Sequence, residues 1–108
     1  MKKIIITGPE CVGKSWLCKR ITYLKNYITF IPKGKRWMDE VIEIVRKTSY
    51  MYIVMEDVFL AKDINYDEFL ARMEVCPTTA ESTLIVVSRE LPKCAKLLDG
   101  ALLIKLDK

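Results

Sequence analysis

Histidine is absent from the 108 residues, and the four cysteines include no C-x-x-C pair. A zinc site would need Cys11, Cys18, Cys76 and Cys94 gathered from scattered positions as thiolates, so reduced, mostly buried thiols are the favoured reading. Cys11 is set apart by its neighbours, because it falls within a glycine-bounded loop. Oxidation there would block that loop, although a plain spacer role is favoured. No apolar run is long enough to cross a bilayer. The opening Met1-Lys2-Lys3-Ile4-Ile5-Ile6 has the first features of a leader peptide. Its apolar stretch then stops at Thr7-Gly8-Pro9-Glu10, which reads as a strand entering a turn. A cytoplasmic location and no membrane partner are expected. There is no repeat, low-complexity stretch or linker, so residues 1–108 are expected to form a single domain. With 51% hydrophobic and 30% charged residues, the composition excludes a disordered chain.

Acidic residues are scarce at the start of the chain. Residues 1–36 hold nine Lys/Arg against Glu10 alone, whereas residues 37–108 hold nine Lys/Arg against thirteen acids. The net charge of +4 therefore hides a basic first third and an acidic remainder. Lys33, Lys35 and Arg36 are candidate nucleic-acid contacts, with a solvated basic face the favoured reading.

The hydrophobic pattern alternates between strand and helix periods. Strands are expected at Lys2–Thr7, Tyr27–Ile31, Tyr50–Met55, Thr83–Val87 and Ala101–Leu106. A helix is expected from about Lys14 to Leu24, with Leu17, Ile21 and Leu24 on one face. A second runs from about Arg36 to Thr48, with Met38, Val41, Ile42 and Val45 as its stripe. A third spans Tyr66–Glu74, capped by Asn65 and facing inward through Tyr66, Phe69, Leu70 and Met73. A fourth is bracketed by Pro92 at its first position and Gly100 after its end. Pro32 suits an edge strand. Near-continuously apolar strands separated by helices imply an α/β fold: a three-layer α/β/α sandwich around a five-stranded parallel sheet.

Gly8-Pro9-Glu10-Cys11-Val12-Gly13-Lys14-Ser15 fits G-x-x-x-x-G-K-[ST] at each fixed position, with a strand before it and a helix after it. Glycines let backbone N–H groups close around a phosphate, and the helix start adds unpaired N–H groups and a positive dipole end. This is a Walker A motif, so the chain resembles the P-loop NTPase superfamily across its pattern of elements. The resemblance implies that residues 8–15 bind the phosphates of a nucleoside triphosphate. Lys14 would reach the β- and γ-phosphates, and the Ser15 hydroxyl would ligate Mg²⁺.

The superfamily's second motif is an apolar strand ending in acid, and Tyr52-Ile53-Val54-Met55-Glu56-Asp57 resembles it. The order is Glu then Asp rather than Asp then Glu. By position Glu56 becomes the metal-side acid and Asp57 the candidate base. The swap shifts side-chain reach by one methylene, which favours metal binding over efficient hydrolysis. Asp39-Glu40 is a rival pair but reads as helix surface. Ser88 and Arg89 end the fourth strand, Ser88 as a candidate γ-phosphate or water contact and Arg89 as a candidate sensor or arginine finger. Trp16 and Trp37 are candidates to stack on a base, with core packing favoured.

The branch most resembled is the additional-strand, AAA-like ATPases, which implies Mg-dependent ATP binding and hydrolysis. It also implies a homo-oligomer or a larger nucleic-acid-associated assembly. A non-hydrolysing nucleotide-binding regulatory module is the alternative, and a small P-loop kinase the third. Ala61–Thr83 is short for a kinase lid, although it holds Arg72. No Asn/Thr-Lys-x-Asp tetrapeptide is present, so adenine is favoured over guanine by elimination.

Overall fold

A computed structural model describes residues 1–10, 12–56 and 64–107. Five strands alternate with four helices: β1 (Lys2–Thr7), α1 (Lys14–Thr22), β2 (Tyr27–Phe30), α2 (Trp37–Lys47), β3 (Tyr52–Met55), α3 (Tyr66–Glu74), β4 (Thr83–Ser88), α4 (Ala95–Leu98) and β5 (Leu102–Lys105). The strands form one sheet in the order β2-β3-β4-β1-β5, with each pairing parallel. A parallel sheet needs a crossover between successive strands, and the helices supply them.

The two faces of the sheet separate along each strand with period two. Ile5, Ile53, Met55, Leu84 and Val86 point to one side, where Val41, Ile42 and Val45 of α2, Phe69, Leu70 and Met73 of α3 and Leu97 of α4 cover them. Ile6, Val54, Ile85 and Val87 point to the other side, where Cys18, Leu17 and Ile21 of α1 pack on them. Among the described residues, one face thus carries three helices and the other carries α1.

Trp37 confirms the core reading. Its ring lies 5.9 Å from Phe30 and 5.3 Å from Phe69, and Phe69 is fully buried. Asn65 caps α3 as expected, its side chain accepting from the Glu68 backbone N–H at 3.0 Å. Pro32 follows β2 at the sheet edge, also as expected.

Three local expectations are corrected. Leu24 does not complete the buried face of the first helix; it is 86% exposed and has φ of 60°. That helix stops at Thr22, whose hydroxyl donates back to the Cys18 carbonyl at 3.0 Å. Such a bond competes with continued helix. Pro92 does not start the fourth helix, which begins at Ala95. The link from β4 must pass over β1 to reach β5, and extended chain covers about 3.3 Å per residue against about 1.5 Å for helix. The third strand starts at Tyr52 rather than Tyr50, and a short 3-10 turn at Pro77–Thr79 was not anticipated.

Replacing Phe69 by alanine removes the shared contact of the aromatic trio. Urea unfolding should show a loss of about 3–5 kcal/mol. Val75, 79% exposed at the end of the same helix, should tolerate alanine with a change within about 0.5 kcal/mol.

Candidate functional site

The carboxyl ends of β1, β3 and β4 converge on one edge of the sheet. β4 lies between β1 and β3, and its last residue, Ser88, pairs in register with Thr7 at the end of β1. Ligands of open α/β sheets gather at such strand ends. A cleft of about 190 Å³ lies here, and Glu10, Lys14, Ser15, Glu56, Ser88 and Arg89 contribute to its walls together with Ile31 and Val87.

Two glycines shape the loop above the cleft for different reasons. Gly8 has φ of 150°, and a Cβ there would collide with the backbone carbonyl of Leu106. That carbonyl is held close because the Leu106 N–H donates to the Thr7 carbonyl at 2.8 Å. Gly13 has φ of 92° and open space around it, so its demand is conformational alone. It is the N-cap of α1, and no side chain caps the helix. Among the described residues, no side-chain cap hydrogen bond is made to the first-turn N–H groups, an arrangement that suits an anion.

Lys14 is half-buried, and its Nζ donates to the Gly8 carbonyl across the loop. Ser15 is exposed beside it. Glu56 follows the last residue of β3, with its backbone N–H donating to the Phe30 carbonyl at 2.9 Å. The Ser88 hydroxyl donates to the Glu90 carbonyl at 2.7 Å, which fixes the turn after β4. Cys18, one turn after Ser15, is buried, and its thiol is pushed up to about 11, first by burial and then by the negative charge of Glu56. A thiol held there stays protonated at neutral pH and is a poor nucleophile.

The structure thus brings Glu10, Lys14, Ser15, Glu56, Ser88 and Arg89 to one cleft. Gly8, Pro9, Val12 and Gly13 form the adjoining loop. Cys11 and Asp57 lie outside the described residues. Trp16 does not line the cleft, and the expectation that it packs in the core is corrected: it is 66% exposed. Sequence reasoning did not assign Ile31 or Val87 to the site. Their only signal was position at or just past a strand end. Among the described residues, no group of three or more His, Cys, Asp or Glu forms a metal cluster. Cys18, Cys76 and Cys94 are free thiols, and no helix among the described residues is long and apolar enough to cross a membrane.

No family model matches the chain, and no curated protein does. Among solved structures, it is similar to the crystal structure of a DNA replication initiation factor, with a TM-score of 0.61 at 15% identity. The match covers 97% of this chain and 40% of that one, so the chain spans well under half the length of that protein. At this identity the likeness is one of fold, and it agrees with a P-loop-like α/β architecture.

Alanine at Gly8 should destabilise more than alanine at Gly13. The first adds a backbone collision of about 1–3 kcal/mol to the strain of its backbone, whereas the second carries only the left-handed strain of about 1–2 kcal/mol. Thermal unfolding of the two variants measures the order. An equal loss would mean that the Leu106 carbonyl does not constrain Gly8.

Proposed function

We propose that the chain binds Mg·ATP at residues 8–15 and hydrolyses it. The observation that carries this reading is the Gly8–Ser15 sequence on an uncapped helix start, beside a cleft that also holds Glu56. The loop and first-turn N–H groups take the phosphate oxygens. Lys14 moves from the Gly8 carbonyl to the β- and γ-phosphates, exchanging a neutral acceptor for a charged one. The donor set suits a hard divalent cation, since the Ser15 hydroxyl and the Glu56 carboxylate are both oxygen ligands on the same cleft. Mg²⁺ bound there neutralises developing phosphate charge. Asp57 is the proposed base that orients water. Ser88, at the end of β4 on the cleft wall, is the proposed γ-phosphate contact. Arg89 lines the cleft of its own chain, which supports a sensor role in cis over a finger acting on a neighbouring subunit.

A cleft of about 190 Å³ falls below the roughly 300–1,000 Å³ usual for whole small-molecule ligands. It has room for the phosphates and metal, and the base and sugar would rest outside it. Discrimination between ATP and GTP is therefore expected to be modest. A larger nucleic-acid-associated assembly, a homo-oligomer and a cytoplasmic location are the proposed context. The similarity to part of a DNA replication initiation factor supports the nucleic-acid part of that context. A second reading, a nucleotide-binding module without turnover, is favoured by the Glu56-Asp57 order, which puts the longer side chain on the metal side.

Binding and hydrolysis of ATP and GTP should be measured with Mg²⁺ and with EDTA. Lys14→Ala should weaken ATP binding tenfold or more, about 1.4 kcal/mol. Glu56→Gln should lose the Mg²⁺ dependence, and Asp57→Asn should bind normally without turnover. Wild type that binds but never hydrolyses supports the second reading. Binding indifferent to Lys14→Ala and to EDTA would sink both.

A further inference from the structure

The outward face of α1 carries a pattern that the phosphate site does not use. Trp16, Lys19 and Arg20 of α1 and Tyr23, the residue just past its end, fall at i, i+3, i+4 and i+7, one side of the helix. The opposite side, with Cys18, packs on the sheet. Trp16 is 66% and Tyr23 69% exposed, and Lys19 and Arg20 are exposed as well. The Arg20 guanidinium lies 5.6 Å from the centre of the Trp16 ring, which helps to hold the indole on the surface. Just past the helix, Lys25 and Tyr27 are also exposed, and they extend the alternation of cation and aromatic ring. Residues 11–38 contain seven Lys/Arg and no Asp or Glu, so no carboxylate from this stretch neutralises the face. Among the described residues, α1 is the helix that packs on this side of the sheet, and its outward face is turned to solvent.

We propose that this face binds single-stranded DNA. Rings separated by cations match a strand whose bases stack while its phosphates meet positive charge. A duplex would use the cations but leave the rings idle, because its bases are already stacked inside. From Trp16 to Tyr23 the chain rises about 10 Å, room for two or three bases at about 3.4 Å each. Rings and cations engage bases and phosphates rather than the sugar, so this face gives no reason to expect ribose to be preferred over deoxyribose. This inference does not depend on nucleotide binding at residues 8–15.

The test is fluorescence anisotropy of a labelled oligo-dT of about twenty nucleotides, enough to exceed one binding site, with duplex DNA and oligo-rU run beside it. The full chain should bind oligo-dT more tightly than duplex. Its log affinity should fall with log salt at a slope of about −2, as for three phosphate contacts. Oligo-dT should quench the emission of Trp16, while Trp37, half-buried in its aromatic trio, keeps its emission. Tyr23→Ala and Trp16→Ala should each weaken binding about tenfold, and Lys19→Glu should weaken it and flatten the salt slope. Val75→Ala, on a different helix, should change nothing. Circular dichroism checks that each variant folds, and Mg·ATP binding by Tyr23→Ala should match wild type, which separates this face from the phosphate cleft. Four outcomes overturn the proposal: no binding at low salt, equal binding by Tyr23→Ala and Lys19→Glu, duplex bound as tightly as oligo-dT, or oligo-rU preferred. A Tyr23→Ala protein that loses self-association and keeps its DNA affinity would also overturn it, by assigning the face to contacts between copies.

Discussion

The structure depends on the junction where β1 ends and the chain turns at Gly8. β1 is an interior strand, paired to β4 on one side and to β5 on the other, with Ile5 and Ile6 fully buried on opposite faces. That double pairing fixes the position of Thr7. The Thr7 carbonyl in turn holds the Leu106 N–H, which brings the Leu106 carbonyl against Gly8 and leaves no room for a side chain. The loop that follows is anchored at its start by the buried end of an interior strand and at its end by α1, whose apolar side rests on the same sheet. Rigid anchors at both ends allow a short loop to hold several N–H groups in one orientation, which is what anion recognition requires.

The sheet order then decides which side chains share the cleft. Because β4 lies between β1 and β3, the turn after β4 separates the phosphate loop from Glu56, and Ser88 and Arg89 sit between them. This spacing leaves an open cleft between them, where adjacent β1 and β3 would have closed it. Cys18 illustrates the coupling of core and site, since burial and Glu56 together keep its thiol protonated one turn below the loop.

Much of this was legible in the residues because local signals agreed with the fold. Apolar β-branched runs marked the buried strands, and Asn65 with Glu68 marked the start of α3. The spacing of Gly8 and Gly13 marked the turn between the first strand and first helix, and both glycines have positive φ there. What was not legible depended on tertiary context. Leu24 has the right period for the buried face of α1, but the helix ends before it and the residue faces solvent. Pro92 is a sound first helical residue, yet the crossover to β5 needs extended chain there. Trp16 and Trp37 are the same residue type near similar helix starts. Only the packing shows that Trp37 joins Phe30 and Phe69 while Trp16 is left on the surface. Ile31 and Val87 carry no chemical signal and reach the cleft through strand geometry.

Amide hydrogen exchange across the loop, with and without Mg·ATP, tests the central claim most directly. The account predicts that exchange slows at the N–H groups of residues 12–17, where α1 begins without a side-chain cap, and that Lys14→Ala removes the effect. Unchanged exchange at these residues with saturating Mg·ATP, or protection confined to another part of the chain, would contradict it.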